Sequence, residues 1–196
     1  VEIAFLLGQA ETEDAATALA RRFQRADLAQ ELARVTAEWD GVLGAITVET
    51  PDAATNVMLN RWLVYQVRAC RLFARAGFYQ AGGAYGFRDQ LQDVMALAVA
   101  APAEARAHLV RACAHQFPEG DVQHWWHEPG GQGVRTHFSD DLLWLPYAIA
   151  HYVEITGDKA VLDESVPFIE GPSIPEGAED AYYEPQPSGQ SASVYE

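Results

Sequence analysis

The sequence predicts an all-α fold in which helical hairpins form about half of a double ring of inner and outer helices, preceded by a linker helix. Apolar residues recur at helical spacing through most of the chain. Apolar helices alternate with more amphipathic ones, and the longest, most aromatic loops precede the apolar helices. A complete double ring needs roughly 350 residues. The 196 residues of this chain are therefore expected to supply about half of one.

The first part of the chain is predicted to be a helical linker. Thr12 is placed to cap a long helix that ends near residue 36, because Thr is favoured at helix N-termini. The residues that follow, up to Pro51, are β-branched in places and interrupted by Gly and Pro, which is typical of a connector. We therefore expect residues 1–50 to be the linker and residues 51–196 to be the N-terminal portion of an incomplete barrel domain.

Four long helices are predicted in the second part of the chain. A Gly-rich aromatic loop covers residues 78–87, and a longer polar loop covers residues 118–137. The tail, residues 167–196, is rich in Pro, Gly, Ser and acids and is predicted to be loop or partly disordered. The four helices are expected at about residues 52–76, 88–100, 102–117 and 139–157, with a short helical turn near residues 159–164.

Composition excludes several classes of protein. The net charge of -15, from 28 acidic and 13 basic residues, argues against nucleic acid as a partner, because that affinity comes mainly from Lys and Arg. No apolar stretch has the length of a membrane helix, and two cysteines suggest neither a disulfide framework nor a zinc cluster. Phosphate-loop and dinucleotide motifs are absent, so no cofactor is expected. Residues 1–9 do not resemble a signal peptide, and the chain is expected to begin inside a longer protein.

Residues 86–93 (GFRDQLQD) place acids and a guanidinium at a predicted helix N-terminus. Asp89 and Asp93 are four residues apart and share one helical face. Arg88 and the helix dipole would offset their repulsion, and a carboxylate there can grip two adjacent sugar hydroxyls. The alternative is that Arg88 and Asp89 form a local ion pair and Asp93 is solvated.

Residues 121–127 (DVQHWWH) form a polar and aromatic motif in the long loop. Indole faces can stack on a pyranose, while Gln123 and the two imidazoles bond its hydroxyls. Packing of the two Trp side chains between helices is one alternative. A metal site of Asp121, His124 and His127 is another, although no Cys supports it.

Residues 139–141 (SDD) open the last apolar helix. Ser139 or Asp140 can simply cap that helix, or one of the two acids can face a pocket. In a helical ring the helices that begin near Arg88 and Asp141 would open at the same end, with the Trp-rich loop over it. Paired carboxylates are also the groups by which glycosidases work.

Taken in order, residues 78–93 (FYQAGGAYGFRDQLQD), 121–127 and 139–147 (SDDLLWLPY) resemble the cellobiose phosphorylase and cyclic β-1,2-glucan synthase family of inverting glycoside phosphorylases. The likeness covers essentially the whole chain and is greatest to the phosphorylase-like region of cyclic β-1,2-glucan synthases. It implies an (α/α)6 barrel preceded by a helical linker and a β-sandwich, and the sandwich is missing here.

The resemblance also implies the roles of particular residues. Arg88 and Asp89 would bind the glucosyl unit on the non-reducing side of the cleaved bond, and further substrate-binding candidates are Asp93, His124, Trp125 and Asp141. In the family one carboxylic acid protonates the leaving oxygen while inorganic phosphate attacks the anomeric carbon. That acid belongs to a Gly-Asp-Trp-Asn-Asp type of motif.

No such motif occurs in this sequence, and residues 38–41 (EWDG) resemble it only superficially. We therefore expect no catalytic residue and no metal in this chain, a general acid beyond Glu196, and no activity from the chain alone. The expected partners are a β-linked gluco-oligosaccharide, inorganic phosphate or glucose 1-phosphate, and the remainder of the barrel. An open apolar edge also predicts association into oligomers.

Two other functions stay open at this point: a helical-ring glycoside hydrolase that uses water, and a non-catalytic carbohydrate-binding module. The expected location is the cytoplasm or, alternatively, a soluble domain of an inner-membrane synthase.

Overall fold

The computed structural model describes residue 3, residues 5–73 and residues 83–196. The chain divides into two compact units after Gly41, and each is described by itself. The domain boundary placed near Pro51 stays a prediction. Among the described helices none is long and apolar enough to cross a membrane.

The first unit contains two helices where the sequence predicted one, α1 (Glu13–Gln24) and the larger part of α2 (Leu28–Leu43). Thr12 caps α1, as predicted, because its hydroxyl accepts a hydrogen bond from a backbone N–H of the first turn. The break has its own cap, since Oδ1 of Asp27 accepts from the N–H of Ala29 at 3.0 Å. A second capping residue, Asp27, therefore lies inside the apolar periodicity, where one helix ends and the next begins.

The second unit begins with an irregular helical region capped by Asp52, whose side chain accepts from the N–H of Ala54. The backbone leaves the helical conformation at Asn60 and Arg61. The amide of Asn60 bonds both the N–H and the carbonyl of Val48, at 2.7 and 2.8 Å. The region comprises α3 (Ala53–Val57), a π-helical segment (Met58–Trp62), α4 (Leu63–Gln66) and a second π-helical segment (Val67–Phe73).

Predictions for residues 74–82, which include the end of that helix and most of the Gly-rich loop, lie outside the described residues.

Three further helices lie close to their predicted positions. They are α5 (Phe87–Ala100), α6 (Pro102–Cys113) and α7 (Asp141–Thr156), and α5 packs against both of the others. Leu91 and Leu97 of α5 are fully buried, and each such side chain contributes about 1.5–3 kcal/mol. A short 3-10 helix (Lys159–Asp163) follows α7. The side chains of this hairpin core hold the N-termini of α5 and α7 in place.

The all-α prediction is wrong, because the described part of the chain contains six strands that form two antiparallel sheets. One sheet has four strands in the order β1-β2-β3-β5, and the other pairs β4 with β6. These strands come from residues that were predicted to be loops or to belong to a tail that is loop or partly disordered. Two segments of the loop 118–137 pair with each other as β2 and β3, and β3 also pairs with β5 from the tail. The strands are β1 (Ala84–Gly86), β2 (Gln123–His127), β3 (Gly133–Thr136), β4 (Ser165–Glu170), β5 (Asp180–Tyr183) and β6 (Gln186–Ser193).

The four-stranded sheet has one face in the core. Trp126 is fully buried there and stacks on Tyr85, its partner in β1, with ring centroids 5.3 Å apart, and on His115 at 3.7 Å. Gly133 lies opposite Trp126 in β3, where an added Cβ would lie 2.1 Å from a backbone oxygen. A residue with a side chain would therefore push β2 and β3 apart.

Candidate functional site

The N-termini of α5 and α7 meet through an ion pair. Nη1 of Arg88 donates to Oδ2 of Asp140 at 2.9 Å, across 52 residues of sequence. Both side chains are 46% exposed, and the hydrogen bond from Arg88 lowers the pKa of the Asp140 carboxyl. Within the described residues Nε and Nη2 of Arg88 make no hydrogen bond. The guanidinium is thus oriented by one acid and keeps donors for a ligand.

Asp89 folds back over the strand that precedes its helix. Its Oδ2 lies 2.6 Å from the position that a Cβ on Gly86 would occupy, so a side chain at Gly86 would displace the carboxylate. Helix N-termini favour negative charge at this position. No described residue donates a side-chain or loop hydrogen bond to the Asp89 carboxylate. Asp89 therefore presents free acceptor atoms beside Arg88.

His124 enters the same cluster because β2 is irregular. Gln123 pairs with Arg135 and Trp125 with Val134, so His124 is the extra residue of a β-bulge. Bulges of this kind redirect a side chain. Here Nδ1 of His124 donates to Oδ2 of Asp141 at 2.7 Å.

Asp141 is the buried member of this pair. Only 2% of the residue is exposed, and its Oδ1 is buried with no hydrogen-bond partner among the described residues. The hydrogen bond that His124 donates to Asp141 raises the pKa of His124, although partial burial acts in the opposite direction. The exposed ring of Phe138 lies 4.8 Å from the imidazole. The pair therefore holds a readily protonated imidazole at the edge of the cluster.

Two of the six predicted residues make their contacts outside the Arg88–Asp140 and His124–Asp141 pairs. Asp93 forms an ion pair with Arg71, and burial raises the pKa of its carboxyl against the effect of that arginine. Asp93 is therefore paired and partly buried rather than simply solvated. Trp125 points to the sheet face away from the buried Trp126, and its ring contacts those of His127 and Tyr182. Four predicted residues thus come together: Arg88, Asp89, His124 and Asp141.

The sequence did not point to three further residues near these groups. Arg71 lies in the second π-helical segment, Phe138 in the loop before α7, and Tyr182 in β5. The alternation of side chains along a strand was the one available signal, since it separates Trp125 from Trp126 once β2 is recognised. Asp121, placed in the metal alternative, instead binds Arg135 at 2.6 Å. Among the residues the structure describes, no three His, Cys, Asp or Glu side chains could hold a metal ion.

Free carboxylate and guanidinium atoms beside aromatic rings are the groups by which proteins hold sugars. Comparison with known proteins shows the family to which the chain belongs. Residues 38–185 match the family described as the glycosyl hydrolase 94 superfamily, catalytic domain. The chain belongs to this family, and the resemblance inferred from its motifs is confirmed.

Three relatives illustrate the range of the family. The chain is 46% identical over 195 residues, all of its length, to the cyclic beta-(1,2)-glucan synthase NdvB of Rhizobium meliloti (strain 1021), and covers 7% of that protein. It is 32% identical over 167 residues (84% of the chain, 20% of the relative) to a solabiose phosphorylase of Paenibacillus borealis. It is 27% identical over 174 residues (74% of the chain, 22% of the relative) to an N,N'-diacetylchitobiose phosphorylase of Vibrio proteolyticus. The chain therefore spans less than a quarter of each of these three proteins.

Proposed function

We propose that this chain is the sugar-binding part of an inverting glycoside phosphorylase or cyclic β-1,2-glucan synthase that acts on β-glucosides with inorganic phosphate. The observation that supports this most directly is the Asp89 carboxylate beside Arg88 at the N-terminus of α5, which accepts no side-chain hydrogen bond from the residues that the structure describes. The relatives, which include two phosphorylases and a β-1,2-glucan synthase, support the reaction class.

Each group of the cluster has a distinct role in this proposal. Asp89 accepts hydrogen bonds from two adjacent hydroxyls of one glucosyl unit, and Arg88 donates to a ring substituent of the same unit. Asp140 fixes the plane of the guanidinium at 2.9 Å. His124, held by the buried Asp141, donates from its other ring nitrogen to a hydroxyl or to an anionic oxygen.

Asp93 and Trp125 take supporting parts. Asp93 and Arg71 brace the first two turns of α5, and Trp125 offers an apolar ring to the sugar from the sheet. The substrate is a β-linked gluco-oligosaccharide, and inorganic phosphate or glucose 1-phosphate is the second substrate, depending on direction.

Chemistry in this proposal needs one proton donor. A carboxylic acid protonates the leaving oxygen, and phosphate attacks the anomeric carbon from the opposite face, so that configuration is inverted. Asp140 does not suit that donor, because its ion pair with Arg88 lowers the pKa of its carboxyl. Asp141 does not suit it either, because only 2% of the residue is exposed and its Oδ2 is occupied by His124. The acid and the phosphate ligands are proposed to come from outside these 196 residues, with the rest of the barrel. The location, cytoplasmic or in a soluble domain of an inner-membrane synthase, stays a prediction.

The test is a phosphorolysis assay of the full-length protein with β-1,2-gluco-oligosaccharides or cellobiose, with and without phosphate. We expect phosphate-dependent release of glucose 1-phosphate. Asp89→Ala should reduce it roughly a hundredfold, because charge-assisted hydrogen bonds contribute about 1.5–3 kcal/mol each. Asp163→Ala, which removes an exposed acid from the 3-10 helix, is the matched control.

Other outcomes would replace the proposal. Free glucose formed without phosphate would indicate a hydrolase. Binding of sugar with no product would indicate a carbohydrate-binding module. An Asp89→Ala variant as active as the control would remove Asp89 from the site.

A further inference from the structure

The outer face of the four-stranded sheet carries an aromatic row. Trp125 pairs with Val134, and Val134 pairs with Tyr182, so the three residues stand side by side on β2, β3 and β5. The Trp125 and Tyr182 ring centroids are 5.7 Å apart and the rings are tilted by 38°. Tyr182 is 60% exposed, whereas Val134 is only 8% exposed. The two rings therefore cover Val134 and turn their other faces outward.

This aromatic row continues into the cluster at the N-terminus of α5. Gly86 pairs with Trp125, and side chains of directly opposed residues in an antiparallel pair lie on the same face. The Asp89 carboxylate occupies the place of the missing Gly86 side chain, with Oδ2 2.6 Å from that Cβ position. Asp89, Trp125 and Tyr182 consequently follow one another along a single face of the sheet.

Polar side chains border the row on both sides. Residues two positions from the row share its face, because side chains alternate along a strand. On one side Nε2 of Gln132 donates to Oε2 of Glu184 at 3.0 Å, and the His127 ring lies 5.2 Å from Trp125. On the other side Thr136 pairs with Asp180. A ligand on this face would meet rings in the centre and hydrogen-bonding groups at the edges.

The polar tips of the two rings are also available. Within residues 5–73 and 83–196 neither the indole N–H of Trp125 nor the hydroxyl of Tyr182 makes a hydrogen bond. Exposed aromatic rings with unused polar tips suit a ligand that has an apolar face and hydroxyls around its rim. A pyranose ring has that character. The acidic margin, with Asp180 and Glu184, favours a neutral polyhydroxylated ligand over an anionic one.

We infer that Trp125 and Tyr182 form a platform on which the sugar units adjoining the one held by Arg88 and Asp89 stack. The protein then grips an oligosaccharide rather than a single glucosyl unit. This rests on the proposed function of the α5 cluster, and it assigns Tyr182 and the face of β5 to substrate binding. Trp125 covers the nearer unit and Tyr182 the farther one.

The test is the affinity of the full-length protein for a glucosyl monosaccharide and for β-1,2-linked oligosaccharides of increasing length, measured by titration calorimetry. Wild-type affinity should rise with length. Tyr182→Ala should bind the monosaccharide like the wild type and the longest oligosaccharide roughly tenfold more weakly, whereas Tyr182→Phe should keep most of the gain. Equal affinity of Tyr182→Ala and wild type at every length would overturn the inference.

Two further measurements separate this inference from the proposed function and from misfolding. Asp89→Ala should weaken all lengths by the same factor, and no effect of that variant together with a length-dependent loss in Tyr182→Ala would refute the α5 site while keeping the platform. Oligosaccharide should also change the indole fluorescence of the wild type, and Trp125→Phe should abolish that change. A fluorescence response that persists in Trp125→Phe would count against the platform.

Discussion

Two arginines, Arg135 on β3 and Arg88 at the N-terminus of α5, show how differently the same side chain is used. Arg135 is 6% exposed, and its Nε and Nη2 each donate to Asp121 at 2.6 Å. Its guanidinium also lies 3.9 Å from the centre of the Phe117 ring, and Nη1 approaches the carbonyls of Gly171 and Pro172. Arg88 is nearly half exposed and makes one hydrogen bond among the described residues, to Asp140.

The difference distinguishes an arginine whose donors all stabilise the fold from one that has donors left for a ligand. Arg135 has partners for its donors, so it fastens β3 to the loop after α6 and to the segment after β4, and no donor remains for a ligand. Arg88 is held in one orientation, and within residues 5–73 and 83–196 it keeps unused donors while its neighbour Asp89 keeps unused acceptors. Unused hydrogen-bonding capacity at an oriented group is what binding a sugar requires.

The largest expected effect on stability is at Arg135. Arg135→Ala should lower the free energy of unfolding by about 3 kcal/mol, because it leaves the Asp121 carboxylate without its partner. Arg135→Lys should lower the free energy of unfolding by less than Arg135→Ala does, since a lysine keeps the charge but not the bidentate contact. Denaturant unfolding of the two variants measures this. If Arg135→Ala unfolds at the same denaturant concentration as the wild type, Arg135 does not have the structural role that distinguishes it from Arg88.

Two histidines, His124 in β2 and His115 just after α6, provide the next test of how surroundings change one type of side chain. The hydrogen bond to Asp141 raises the pKa of His124, whereas burial against Trp126 lowers the pKa of His115. The His124 contribution to stability is therefore present below about pH 6.5 and is lost as pH rises through its raised pKa. The His115 contribution has the opposite sign: it is present above that pH and is lost as pH falls through the lowered pKa.

Because these two contributions offset each other in a bulk unfolding experiment, the measurement is an NMR titration resolved by residue. His124 should titrate at higher pH than His115, and Asp141→Asn should move only the His124 titration, downward. Assignment by His124→Gln and His115→Gln serves as the control. A His124 titration at lower pH than that of His115 is incompatible with the pairing described.

The smallest effect is expected at the ion pair that borders the site. Arg71→Ala should destabilise the protein by about 1 kcal/mol, because Asp93 loses its partner while remaining partly buried. Asp93→Asn should recover part of that loss in the Arg71→Ala background, where no ion pair remains to be broken. A double-mutant cycle by thermal unfolding gives the coupling, and strict additivity would show that the pair is not formed.

Much of the helical part could be predicted from the sequence, because its signals are local. The apolar spacing of α5 and the glycine at the end of α7 can both be recognised in a short stretch of sequence. In the structure Gly157 has a φ of 72°, as expected for a glycine that ends a helix. The strands cannot be recognised in this way. Strand β3 pairs with β5 across more than forty residues, and β6 (QPSGQSAS) has no β-branched residue. Strand formation depends on the partner, which a local pattern does not contain.

The site shows the same division. Arg88, Asp89, His124 and Asp141 could be proposed from residue type and from helices that open at one end. The bulge that turns His124 toward Asp141 and the register that places Asp89 beside Trp125 depend on the sheet. Tyr182 could not be foreseen, because the tail that contains it was predicted to be loop or partly disordered.

The claim that the α5 N-terminus binds sugar while Arg135 only supports the fold is tested most directly by one paired measurement. It is the dissociation constant of a β-1,2-linked disaccharide, measured together with the unfolding midpoint, for the wild type, Arg88→Ala and Arg135→Lys in the full-length protein. We expect Arg88→Ala to weaken binding roughly tenfold with an unchanged midpoint, and Arg135→Lys to lower the midpoint with unchanged binding. Wild-type affinity in a folded Arg88→Ala variant would contradict the account.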